Sequence, residues 1–130
     1  MGNILNYIIV DDDSVHNIIC NLLIAAAING SNIKTFTNPE RGFEFIENNP
    51  INNEQKTIIF LDVDMPNMTG WEFLNKFDKL DEKMKSQYLI YILSSSINPI
   101  NKEKASKDKN VANFFVKPLT DEIISLISGS

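Results

Sequence analysis

The stretch TIIFLDVDMPNMTG, residues 57–70, runs apolar as far as Leu61 and then presents Asp62 and Asp64, followed by Pro66 and Gly70. Carboxylates that close a buried run suit two kinds of chemistry. They can hold a metal beside a carboxylate that accepts a phosphoryl group reversibly, or they can be the nucleophile and acid of a hydrolase. Other polar groups sit in equivalent places. Asp11, Asp12 and Asp13 follow the apolar run at 4–10, Ser94, Ser95 and Ser96 follow 88–93, and Lys117-Pro118 follows 113–116. Singly, each has a plain explanation: acids cap helices, serines make turns, and a lysine is a solvated charge. Jointly they describe a site. Three clustered carboxylates repel unless a hard cation neutralises them, and oxygen-only donors suit Mg2+. A cation and a hydroxyl aimed at the same spot point to an anion with several oxygens, a phosphoryl group.

The elements that must position these groups alternate in period. ILNYIIV (4–10), IKTF (33–36), TIIFL (57–61), YLIYIL (88–93) and NFFV (113–116) are short, continuous and rich in β-branched or aromatic residues, so they read as buried strands. Between them the spacing turns helical. Val15, Ile18, Ile19, Leu22, Leu23 and Ala26 follow a cap at Asp13 or Ser14, and Asn29-Gly30 ends that helix. Pro39 opens a second helix with Phe43, Phe45 and Ile46 on its apolar side, and 48–56 is a polar loop. Thr69 to about Leu80 is a third helix burying Trp71, Leu74 and Phe77. Asn98 to about Lys107 is a weakly apolar helix that buries little beyond Ile100 and Ala105, and 120–127 closes the chain. Strand and helix repeated five times predict an α/β fold, a doubly wound five-stranded parallel sheet with five helices, flavodoxin-like with strand order 2-1-3-4-5. In such sheets ligands bind outside the carboxyl ends of the strands, where the polar groups collect.

Bulk numbers narrow the classes. A chain of 130 residues with 43% hydrophobic and 22% charged residues is expected to be one domain spanning 1–130. A net charge of −5 argues against nucleic acid; Lys102, Lys104, Lys107 and Lys109 cluster, but Glu103 and Asp108 are interleaved, as on a solvated helix face. The single cysteine, Cys20, fits a reducing compartment. No run approaches the roughly 18 apolar residues of a membrane span, and the N-terminus lacks a signal peptide. MGNILN departs from a myristoylation site at Asn6. A cytoplasmic protein with no membrane partner is expected.

The ordered set YIIVDDDS, LDVDMPNMTG, ILSSS and FFVKP resembles the receiver domain of two-component response regulators, the CheY-like family, over essentially the whole chain. The resemblance implies a signalling phosphoacceptor rather than an enzyme. Asp62 is then the phosphoacceptor. Asp12 binds Mg2+ directly, Asp11 binds it through water, and the backbone carbonyl of Asp64 is a further ligand. Ser94 and Lys117 bind the phosphoryl group, Pro118 follows a cis peptide bond, and Phe114 is the aromatic switch that turns inward when Ser94 moves. The implied partners are a histidine kinase or phosphotransfer protein and a downstream protein target, with a homodimer left open; no output domain is expected within the chain, and a stand-alone receiver and a fragment of a longer protein both stay open. Ser94 replaces the commoner Thr, and Phe114 stands where Tyr is frequent. Asp64 adds a charge expected to tune the lifetime of the phosphate.

Two other readings compete. FLDVDMPNMTG also resembles the first motif of haloacid-dehalogenase-type phosphatases, with Asp62 as nucleophile and Asp64 as acid. Against it, Met65-Pro66 replaces the usual small residue, and the acidic run comes before the motif instead of late in the chain. A pseudo-receiver that binds partners without phosphate would be expected to lack the acceptor, an acid or the lysine, and all are present. His16 reads as an ordinary residue near the start of the first helix, since a phosphotransfer histidine would want a four-helix context. Met65 and Met68 read as loop packing.

Overall fold

β-branched and aromatic runs fit a pleated surface covered on both faces, and each such run here becomes a strand. The computed structural model describes residues 4–49, 55–65, 68–95 and 98–128. In it β1 (Asn6–Val10), β2 (Asn32–Phe36), β3 (Thr57–Leu61), β4 (Tyr88–Ser94) and β5 (Val111–Val116) form one sheet in the order β2-β1-β3-β4-β5. Every pairing is parallel. Central β1 and β3 are buried from their second residue onward, whereas the edge strands β2 and β5 are half exposed. The expected order and fold class are therefore the observed ones.

The helices α1 (Ser14–Ala27), α2 (Pro39–Asn48), α3 (Gly70–Asp78), α4 (Glu82–Lys85), α5 (Pro99–Lys107) and α6 (Asp121–Ser128) complete the fold. Local chemistry sets their starts. The Asp13 side chain accepts from the N–H groups of Val15 and His16, Asn38 caps α2 ahead of Pro39, and Thr69 with Glu72 forms a reciprocal capping box on α3. The sheet divides the core in two. Phe43 and Ile46 of α2, Phe73, Leu74 and Phe77 of α3 and Ala105 of α5 pack on one face. Cys20 and Ile24 of α1 with Ile124 and Ile127 of α6 pack on the other. Among the described residues no helix is long and apolar enough to cross a membrane.

Three features depart from expectation. First, there are six helices, not five, among the described residues. The extra one, α4, buries no residue, so it carries no apolar period. Its signals are the Asp81 side chain capping Lys83 N–H, Glu82 in the first turn and lysines in the last. Second, Phe73 is buried in α3 where Trp71 is only half-buried, packed at the edge of the core. Third, α1 is rotated. The stripe expected to face the core points outward, with Ile18 59% and Leu22 65% exposed, while His16, Asn17, Cys20 and Ile24 face inward. The inward stripe carries His16 and Asn17 beside Cys20 and Ile24 and is the less apolar of the two, so periodicity predicts the helix but points to the wrong rotation. The rotation follows from polar anchors: Asn17 Nδ2 donates to the Asp11 carbonyl at 2.9 Å, and the His16 ring meets the Asp11 carboxylate. In α5, Ala105 is buried as expected, but Ile100 is exposed.

Candidate functional site

Backbone hydrogen bonds carry the sheet pattern one residue beyond its strands, and those residues are the ones singled out by type. Asp11 N–H donates to Phe36 O at 3.0 Å, Asp62 N–H to Val10 O at 2.9 Å, and Lys117 N–H to Ser94 O at 2.8 Å. The polar groups at the rim are thus held by the same ladder that holds the core. Lys117-Pro118 is cis, as expected. Behind Asp62, Gly70 lets the first turn of α3 close on the β3 exit. A Cβ there would lie 2.6 Å from Val63 Cα and 2.7 Å from the Asp62 carbonyl oxygen, and Gly70 N–H donates to Val63 O at 3.2 Å. Pro66 and Ser96 lie outside the described residues.

The side chains converge. Asp11, Asp12 and Asp62 each offer a carboxylate oxygen within 4.8 Å of the others. Asp11 and Asp62 are buried, Asp62 to 5% exposure, and Asp12 stands at the open rim. Lys117 Nζ lies 2.7 Å from Asp11 Oδ2 and 3.7 Å from Asp62 Oδ2, so one cation serves two anions. Asp62 Oδ1 accepts from Asp64 N–H at 3.1 Å. Ser94, fully buried, directs its hydroxyl at the carboxylate of exposed Asp64 over a long 3.5 Å.

Electrostatics sort the two buried acids. Burial pushes Asp62 up to about 6, helped by the Asp11 charge and opposed by the Asp64 N–H and Lys117. Asp11 is pushed the same way by burial, but the Lys117 hydrogen bond, the Asp13 N–H and the charges of Lys117 and His16 outweigh it and hold its carboxyl below the usual range. Burial acts to lower Lys117, yet its hydrogen bond to Asp11 and the Asp62 and Asp11 charges leave it raised. The site therefore keeps a fixed cation–anion pair next to an acid strained by uncompensated charge. Three hard oxygen donors, that acid's among them, fit a divalent ion such as Mg2+.

Of the residues expected to act, Asp11, Asp12, Asp62 and Lys117 meet directly, and Ser94 joins through Asp64. Phe114 sits apart, half-buried, paired in register with Ile92 two residues before Ser94. It borders a cavity of about 210 Å³ under α5, lined also by Lys102, Ala105 and Ser106. One residue escaped the sequence reading. His16 is buried with Nδ1 2.7 Å from Asp11 Oδ2, in the site rather than beside it. Its position five residues after Asp11, on the first turn of a helix starting at the rim, is the signal that could have found it.

Comparison with known proteins agrees with this geometry. Among curated proteins none matches the chain at a significant level. Solved structures do. A two-component response regulator from Cytophaga hutchinsonii superposes with a TM-score of 0.84 at 25% identity, covering 93% of this chain and 91% of that one. A response regulator receiver protein from Dyadobacter fermentans gives 0.84 at 21% identity, with 94% of each chain covered. The chemotaxis protein CheY4 of Vibrio cholerae gives 0.74 at 20% identity, covering 95% and 94%, and so shares the fold. The model of the response regulator receiver domain matches residues 7–127. A parallel sheet in receiver order, acids and a lysine converging at its carboxyl rim, and a family match over nearly the whole chain leave one assignment: this chain belongs to the response regulator receiver domain family.

Proposed function

We propose that Asp62 accepts a phosphoryl group from a phosphohistidine on a kinase or phosphotransfer protein, and that the resulting aspartyl phosphate alters protein–protein contacts. The observation that carries this is the convergence on Asp62 of two further carboxylates and Lys117. An Asp62 oxygen attacks phosphorus in line, the P–N bond to the donor imidazole breaks, and an acyl phosphate forms. Such transfer needs alignment and charge neutralisation more than covalent help. Asp11, Asp12, Asp62 and the Asp64 carbonyl would hold Mg2+, which supplies positive charge to the transferring oxygens. Lys117, already shared between Asp11 and Asp62, supplies the second positive charge, and the Ser94 hydroxyl takes one phosphoryl oxygen.

Output needs an element that shifts at low cost, and α5 suits it. Among its described residues only Ala105 is buried, and Lys104 Nζ lies 5.4 Å over the Trp71 ring as a tether to α3. Phe114 borders the cavity beneath α5, so its ring has room to move. The outward apolar face of α1 (Val15, Ile18, Ile19, Leu22) starts at the same rim. A protein donor that brings a phosphohistidine to Asp62 must cover that rim, and we read this face as its seat. The phosphatase alternative asks Asp64 to act as an acid beside Asp62. The Asp64 carboxylate is instead exposed and turned to Ser94, which favours the receiver reading.

Incubating the chain with acetyl phosphate, with and without Mg2+, and weighing it intact tests the proposal. A Mg2+-dependent gain of one phosphoryl group that is lost in Asp62→Asn is expected. Steady phosphate release from a generic phosphate ester with no adduct would overturn it in favour of a hydrolase.

A further inference from the structure

His16 has no part in the chemistry above, yet it is buried against it. Its Nδ1 lies 2.7 Å from Asp11 Oδ2, the same oxygen that Lys117 Nζ reaches at 2.7 Å. An oxygen that also faces the Lys117 ammonium is the acceptor in both contacts, so His16 Nδ1 is the donor. Cys20 Sγ lies 3.5 Å from Nε2 and 3.7 Å from Nδ1, almost equidistant from the two, so the buried thiol packs against the ring and helps hold it against Asp11.

The neighbouring residue reinforces the hold. Asn17 Nδ2 donates to the Asp11 carbonyl at 2.9 Å, while its Oδ1 is a buried side-chain oxygen without a partner among the described residues. An orphaned buried acceptor is costly, and it is tolerated here beside an anchored backbone. The first turn of α1 therefore grips Asp11 twice, by carboxylate and by carbonyl.

We propose that His16 is a positioning residue for the divalent cation: by donating to Asp11 Oδ2 it fixes the Asp11 carboxylate in its binding orientation. The inference rests on the Mg2+ reading above. A carboxylate offers about four acceptor positions. Asp13 N–H takes one on Oδ1, and Lys117 and His16 take those on Oδ2, which leaves Oδ1 facing the ion or its water. Lys117 is also needed at the phosphoryl group. When it shifts from Asp11 toward Asp62, His16 is the contact that keeps Oδ2 in place.

The test is an NMR titration of the full chain with Mg2+, following the backbone amides of Asp12 and Asp64, for the native protein, His16→Ala and His16→Asn. Removing an outer-shell partner of a ligand weakens metal binding about 10- to 100-fold, and that loss is expected for His16→Ala. Asn places Nδ2 as many bonds from Cα as the histidine Nδ1, so His16→Asn should recover most of it. The native ring should show a protonated Nδ1 with and without Mg2+, a reading that needs no variant to fold. Unchanged Mg2+ affinity in His16→Ala, or an unprotonated Nδ1, overturns the inference and leaves the functional reading intact. A native chain that binds no Mg2+ overturns both.

Discussion

Replacing Asp62 by Asn removes the charge that the site holds at greatest cost. Burial and the Asp11 charge raise this carboxyl from 3.8 to about 6. A folded-state pKa above the unfolded value means that the native chain binds the proton more tightly. The contribution to stability is therefore intact below about pH 4, is lost as pH rises through the window from 4 to 6, and stays lost at pH 7. Each pKa unit is worth about 1.36 kcal/mol, so the cost at neutral pH is about 3 kcal/mol. Asn is neutral at all pH values, keeps an oxygen to accept from Asp64 N–H, and leaves Lys117 paired with Asp11. Without Mg2+, Asp62→Asn should be more stable than native at pH 7 by up to about 3 kcal/mol, a shift of roughly 1.5 M in the urea midpoint at a slope of about 2 kcal/mol/M. At pH 4 the two chains should unfold together. Urea melts followed by circular dichroism at both pH values, with equal slopes, measure this. A variant that is neutral or destabilised at pH 7, or a difference independent of pH, would refute the view that the site stores unfavourable charge. Mg2+ should stabilise the native chain and act less on the variant, because a bound cation offsets that same charge.

Further outcomes follow from particular contacts. Gly70→Ala should destabilise the chain by about 1–3 kcal/mol in urea unfolding, because the added Cβ meets backbone at 2.6 and 2.7 Å and that backbone cannot yield as a flexible side chain would; a neutral result would mean that α3 shifts freely. Ile18→Asp, on the exposed face of α1, should leave stability and labelling by acetyl phosphate unchanged while slowing transfer from a phosphohistidine protein at least about tenfold, which is about 1.4 kcal/mol of docking energy. Equal slowing with both donors would place the effect in the site instead. Asp64→Asn removes a carboxylate 3.5 Å from the Ser94 hydroxyl, and phosphoryl decay followed by intact mass should change rate; an unaltered lifetime would show that Asp64 does not govern the attacking water.

The rim was legible from the sequence because strands covered by helices read as near-continuous apolar runs, so the place where each run stops marks the carboxyl edge. Asp62 after Leu61 and Lys117 after Val116 are visible for that reason alone. Rotation about a helix axis is a different matter. In α1 the outward stripe, Ile18 and Leu22, is more apolar than the inward one, His16, Asn17 and Cys20, so a transfer-energy reading favours the wrong face. Side-chain hydrogen bonds to Asp11 decide the rotation, and these depend on geometry that spacing does not contain. For the same reason His16 looked ordinary: nothing local separates a histidine that meets a carboxylate from one that meets water. Helix α4 buries nothing, so no apolar period marks it and its signs are its Asp81 cap and the charges of its two ends.

The phosphoacceptor role of Asp62 turns on which oxygen takes the phosphoryl group. Borohydride reduces an acyl phosphate to the alcohol and so converts a phosphorylated aspartate to homoserine, which peptide mass mapping locates. After labelling with acetyl phosphate and Mg2+, homoserine is expected at residue 62. Homoserine at 12 or 64, or none in a chain that has gained phosphate, would contradict it.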